Sequence, residues 1–136
     1  MKYLLDTNVC IRYLNGRSES LRQQIASKSS QEITLCSVVK AELFYGARKS
    51  KNPQRNLAKQ LQFVNHFVSL PFDDKAAEVY GRIRAELEKS GMLIGPNDLM
   101  IAAIAMANDV TLVTHNTREF SRVIGLKLED WETELP

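Results

Sequence analysis

Apolar residues recur along this chain in two rhythms, and the points where one gives way to the other predict its elements. Tyr3-Leu4-Leu5 reads as a short buried strand over 2–6. Helices are expected over 8–15, on Val9, Ile11, Tyr13 and Leu14, and over 18–28, on Leu21 and Ile25. The run "ITLC" at 33–36 predicts a second strand, and Ser37 is placed to cap a helix continuing to about Arg48. "GARKSKNPQR" breaks that helix with Gly46, Asn52 and Pro53. Leu57, Leu61, Val64 and Phe67, at near-helical spacing, predict the next helix, and "VSLPF" a third strand. Asp73 caps a long amphipathic helix through Ala76, Val79, Tyr80, Ile83 and Leu87, closed by Ser90-Gly91. A further helix starts after "IGPND", with Asn97 as its cap, and runs through Ala107. "VTLVT" at 110–114 is a fourth strand, "HNTREF" turns into a short helix, and "GLKLED" adds a fifth strand.

Short apolar strands separated by helices pair in parallel, because each crossover carries the chain back to the edge it left. The expected architecture is a three-layer α/β domain, with a parallel sheet of four to five strands and helices on both faces. With 136 residues, no repeat and no long linker, the chain reads as a single domain over 1–136.

Composition narrows the class. The 44% hydrophobic and 25% charged fractions belong to a globular protein. No apolar run approaches the roughly 18 residues of a membrane span, and the N-terminus lacks a signal-peptide layout, so a cytoplasmic location is expected. Cys10 and Cys36 have neither disulfide nor zinc spacing and read as buried free thiols. A net charge of +2 does not announce a nucleic-acid binder, but its distribution is uneven. Lys40, Arg48, Lys49, Lys51, Arg55 and Lys59 face only Glu42 within their stretch, while the last nine residues carry Glu129, Asp130, Glu132 and Glu134 without a base. The basic run is either a solvated face or a surface that attracts phosphate.

The candidate chemistry lies at the strand ends. Asp6 ends the first strand, Glu42 sits in the helix after the second, Asp98 opens the helix after "GPN", and Asn116 follows the fourth strand. Each has an ordinary explanation. Asp6 could simply cap a helix, Glu42 could border an apolar stripe, and Asp98 could complement a helix dipole. In a parallel sheet, however, all strand C-termini share one rim, where such folds bind ligands. Three carboxylates gathered in a partly dry cleft either take up protons or bind a cation. Oxygen ligands without His or Cys suit Mg²⁺ or Mn²⁺, and beside a basic surface they fit metal-assisted phosphodiester hydrolysis. Thr7 and Asn8 would orient the Asp6 carboxylate.

Four segments carry a family resemblance: "LLDTNVCIRYL", "SVVKAELFYGARKS", "YGRIRAELEKSGMLIGPNDLMIAAIA" and "TLVTHNTREFSRVIGLKLEDW". In order and spacing they resemble the PIN-domain ribonucleases, specifically the VapC-type toxins of bacterial toxin–antitoxin pairs. The resemblance implies a Mg²⁺- or Mn²⁺-dependent endoribonuclease, usually a homodimer, silenced by a VapB-type antitoxin. The complex would bind operator DNA, and structured RNAs such as tRNA and ribosomal RNA are the implied substrates. By the same resemblance, Asp6, Glu42 and Asp98 are the acidic metal ligands, and Asn116 holds a fourth position that many PIN domains fill with Asp. An amide there favours one tightly held ion over two, with Glu119 as a substitute acid. Asn8 and Thr114 would support the rim, and Lys40, Arg48, Lys49, Lys51 and Arg55 would contact RNA.

Other readings fit less well. A signalling receiver domain needs paired acids at its first strand, a phosphoacceptor after its third and a Lys after its last, and this chain lacks that set. No Gly-rich phosphate loop supports a nucleotide-binding module. A PIN-like binding module that has lost catalysis remains the alternative, and three retained carboxylates weigh against it. His115 is read as incidental to catalysis, His66 as a surface position inside a helix, and Tyr13, Phe44 and Tyr45 as core or dimer packing.

Overall fold

A computed structural model describes residues 1–132. Of the acidic tail, Glu134 lies outside the described residues. The strands are β1 (Tyr3–Leu5), β2 (Ile33–Cys36), β3 (Val68–Leu70), β4 (Thr111–Val113) and β5 (Leu128–Glu129). The helices are α1 (Thr7–Leu14), α2 (Glu19–Ala26), α3 (Ser37–Arg48), α4 (Pro53–Val64), α5 (Asp74–Lys89), α6 (Pro96–Ala107) and α7 (Thr117–Phe120).

Among the described residues the strands form one all-parallel sheet in the order β3-β2-β1-β4-β5. Tyr3 is in register with Ile33 on one side and with Thr111 on the other, so β1 is central. The chain winds outward from β1 to β3, then returns across it to β4 and β5. Right-handed crossovers therefore put α1–α4 on one face and α5–α7 on the other. Burial agrees, since all four residues of β2 are inaccessible, as expected for a strand covered on both faces. The winding reverses between β1 and β4, and the crevice at their C-terminal ends is where such sheets take ligands.

Several ends fall differently from expectation. The cap of α3 is Cys36, with no side-chain hydrogen bond, and Ser37 is already helical. Similarly, α6 begins at Pro96 with Gly95 as its cap, so Asn97 is a first-turn residue. Proline supplies the helical φ at that position and has no amide to leave unpaired, which makes a capping side chain unnecessary. Helix α4 stops at Val64; Asn65 and His66 form a turn, and Phe67 leads into β3 instead of closing the helix. Asp73 does cap α5, its Oδ1 accepting the Ala76 amide at 3.0 Å. At the other end Gly91 takes φ +70°, letting Met92 donate back to the Leu87 carbonyl at 2.9 Å.

Helix α6 is apolar on nearly every side, and Leu99, Ile101–Ala105 and Ala107 are all buried. Its small residues let it pack closely on α5. Burial of the body of α6 fixes its first turn at the sheet rim, and Asp98 belongs to that turn.

Candidate active site at the sheet rim

Asp6 leaves β1 in extended conformation and is nearly inaccessible at 5% exposure. Its Oδ1 accepts the amide of Thr7 at 2.8 Å, which makes it the cap of α1. Its Oδ2 accepts the hydroxyl of Thr114 at 2.9 Å, from just beyond β4. The same hydroxyl oxygen accepts the amide of Asn116 at 3.0 Å. A buried carboxylate without such donors would be costly. Burial still pushes its pKa up, and Glu42 and Glu132 add repulsion, while the two hydrogen bonds pull it down.

Glu42 reaches the rim from the second turn of α3. Its Oε1 accepts the Thr7 hydroxyl at 2.6 Å and its Oε2 the Asn97 amide at 3.4 Å. Thr7 therefore links two of the acids, its amide on Asp6 and its hydroxyl on Glu42. Asn97, expected as a helix cap, holds Glu42 instead. Asp98, the next residue, is half-buried and its pKa is pushed up to about 6. Burial is the largest cause, followed by repulsion from Asp6, Glu42 and Glu119. Four carboxylates are thus close enough to feel one another.

Asn116 stands beside them after β4, and its Nδ2 donates to Glu119 Oε2 at 3.2 Å. Asn8 is exposed and lines two clefts that meet at the rim. One, of about 410 Å³, lies between Asp6, Arg12, His115 and Asn116. The other, of about 670 Å³, opens between Thr7, Glu42, Tyr45, Lys49 and Asn97. The basic positions divide. Lys49 lines the larger cleft, with its ammonium 4.9 Å from the Tyr45 ring centre. Arg48, Lys51 and Arg55 are exposed and Lys40 is half-buried. Lys59 lines a smaller cleft beside Glu42 and donates to the Leu14 carbonyl at 2.9 Å. Its place in the basic run was legible, but its approach to Glu42 depends on how α4 folds back on α3.

Tyr45 is 66% exposed, so it is not core. Tyr13 stacks on Phe63 at 5.3 Å, and Phe44 packs against the buried cluster. His66 is exposed in its turn.

The sequence profile of the PIN domain matches residues 3–126. The chain belongs to the PIN-domain family. Among curated relatives, the tRNA(fMet)-specific endonuclease VapC of Shigella flexneri is 44% identical, covering 96% of this chain and 98% of the relative. Ribonuclease VapC2 of Rickettsia felis is 40% identical, covering 97% and 99%. A solved structure, DNA-bound VapBC from Salmonella typhimurium, superposes with a TM-score of 0.92 at 40% identity, covering 96% of this chain and 98% of that one. The chain is thus a VapC-type PIN domain along nearly its full length, and its rim acids stand in the PIN fold's own sheet crevice.

Proposed function

We propose that this PIN domain is a metal-dependent endoribonuclease, the toxin of a type II toxin–antitoxin pair, acting on tRNA and so arresting translation. The relatives are named ribonucleases, one of them specific for tRNA(fMet), and that name makes initiator tRNA the first substrate to test. The observation that carries the reading is the acidic rim. Asp6, Glu42, Asp98 and Glu119 converge, and burial first, with repulsion from the other three acids second, pushes Asp98 up to about 6. All-oxygen donors under such repulsion fit a divalent cation of the Mg²⁺ or Mn²⁺ type. Asp6, Glu42 and Asp98 would hold it, with Asn116 and Glu119 at the edge. When bound, such an ion would activate water and offset charge on the scissile phosphate.

The chain's own residues prepare the site. Thr7 and Thr114 fix both oxygens of Asp6, and Thr7 and Asn97 fix those of Glu42, so these ligands need little reordering. Lys49 and Lys59 line clefts beside Glu42 and would meet RNA phosphates. A VapB-type antitoxin would silence the site by offering an Arg or Lys to the acids. The complex, with the toxin as a homodimer, would bind operator DNA through the antitoxin. Among the described residues no helix is long and apolar enough to cross a membrane.

The test is to incubate the purified chain with total RNA, containing both tRNA and ribosomal RNA, and Mg²⁺ or Mn²⁺, then map new 5′ ends. Cuts concentrated in initiator tRNA are expected. Intact tRNA alongside cut ribosomal RNA would move the substrate, and no cleavage of any RNA would favour a silent binding module.

A further inference from the structure

Beside the rim, on the far side of the 410 Å³ cleft, three other donors converge. His115, Asp130 and Glu132 each bring a ligand atom within 4.8 Å of the other two. His115 Nδ1 and Asp130 Oδ2 lie 3.0 Å apart, and the Glu132 amide donates to Asp130 Oδ1 at 2.9 Å. The last contact folds the chain after β5 back upon itself, carrying Glu132 inward. Donors held about 2.1 Å from one ion stand roughly 3 to 4 Å apart, so closing this set on a cation needs only small side-chain movements.

Glu132 points to an occupant. Its side chain is only 3% exposed, yet its buried Oε2 has no hydrogen-bond partner. Its Oε1 is paired with the Arg12 guanidinium. Arg12 therefore supplies one counter-charge and leaves the second oxygen unmatched in a place that excludes bulk water. Asp6, close enough to be repelled by Glu132, adds to the negative field. A buried carboxylate oxygen without a donor is costly, and a cation shared with a neighbouring imidazole and carboxylate relieves that cost.

We propose that His115, Asp130 and Glu132 form a second divalent-cation site, separate from the carboxylate rim and different in kind. One imidazole nitrogen with two carboxylates is the donor set of Zn²⁺ and its borderline neighbours, whereas the all-oxygen rim suits harder ions. His115 lines the cleft beside Asn116, which puts the ion's charge next to where RNA approaching the rim would pass. None of its ligands is a rim acid, and it does not rest on the ribonuclease reading.

The experiment uses the full chain carrying Asp98→Asn, so that rim binding is weakened, and titrates it with Zn²⁺ alone. The ring nitrogens of both histidines are followed by nitrogen-edited NMR, and affinity by calorimetry. One equivalent of Zn²⁺ is expected to shift the His115 ring nitrogens and leave those of His66 in place. Adding Glu132→Gln or, separately, His115→Asn should weaken that binding by about tenfold or more, the loss that even an outer partner of a metal ligand causes. The proposal is overturned if one equivalent of Zn²⁺ leaves the His115 ring unperturbed, or if Glu132→Gln and His115→Asn both retain the original affinity. RNA cleavage does not enter either readout, so failure here leaves the proposed function standing, and loss of that function leaves this site standing.

Discussion

Asp6 divides its two oxygens between neighbours from different parts of the chain, the Thr7 amide and the Thr114 hydroxyl. Capping and rim placement, which compete as readings of the sequence, are both satisfied by one side chain. Thr114→Val keeps the shape but removes the donor to Asp6 and the acceptor for Asn116, leaving buried groups unpaired. A loss of about 1–3 kcal/mol in denaturant unfolding is expected. Asp98 makes the opposite contribution. Its folded pKa of about 6 stands above the ordinary 3.8, so folding favours the protonated form. The apo protein therefore gains stability from this group as pH falls through about 6, with the gain complete below 3.8. Asp98→Asn should raise the apo melting temperature at pH 7, and that advantage should vanish near pH 4; an unchanged difference across this range would contradict the upward shift that burial and the neighbouring acids give Asp98. At Asn116, replacing the amide by Asp sets a carboxylate against Glu119 Oε2 where a donor now stands. Asn116→Asp should lower the melting temperature without metal and bind Mn²⁺ more tightly, as calorimetry would read. By contrast, Asn116→Ala should impair cleavage less than Asp98→Ala.

At the scale of elements, the site depends on helices whose burial is unrelated to chemistry. Leu99 is 1% exposed and follows Asp98 in α6. Leu99→Ala should cost about 2–5 kcal/mol of stability and also reduce cleavage, because the first turn of α6 would lose its anchor. This is where the sequence was most and least readable. The apolar periodicity of α5, the near-continuous apolar run of α6 and the short apolar strands placed the elements, because burial on all sides leaves continuous apolar runs. Strand ends then brought Asp6 and Asn116 to one edge by topology, and the buried body of α6 brought Asp98 there. The contacts of Asn97 and Thr7 with Glu42 were not readable, since they join α1, α3 and α6 across 35 and 55 residues. Ser37 and Asn97 have the chemistry of caps, but α3 starts one residue and α6 two residues earlier than capping by them requires. Glu132 looked like part of a solvated acidic tail, and only the turn after β5 shows that it is buried.

For the whole molecule, the charge asymmetry places basic side chains on the α3–α4 side and acids at the sheet rim. Binding of RNA should weaken steeply with salt as phosphate contacts are lost. Lys49→Ala with Lys59→Ala should raise KM more than it lowers kcat, whereas Lys51→Ala, outside the clefts at Glu42, should do less. Unchanged salt dependence in the double variant would reduce the basic run to a solvated face. Production of the chain alone should arrest bacterial growth and an adjacent antitoxin should relieve it; arrest that persists with Asp6→Asn would place the toxicity elsewhere.

The rim acids as holders of a catalytic cation are tested most directly by one cleavage assay on tRNA, run in excess chelator and then with Mg²⁺ or Mn²⁺ restored. Wild type and Asp98→Asn are compared under both conditions, with folding checked by melting temperature. The expected result is no cleavage in chelator, recovery of the wild type with metal, and a folded Asp98→Asn slower by roughly a hundredfold or more, the scale of losing one electrostatic contributor. Full cleavage in chelator, or an Asp98→Asn protein as active as the wild type, would contradict it.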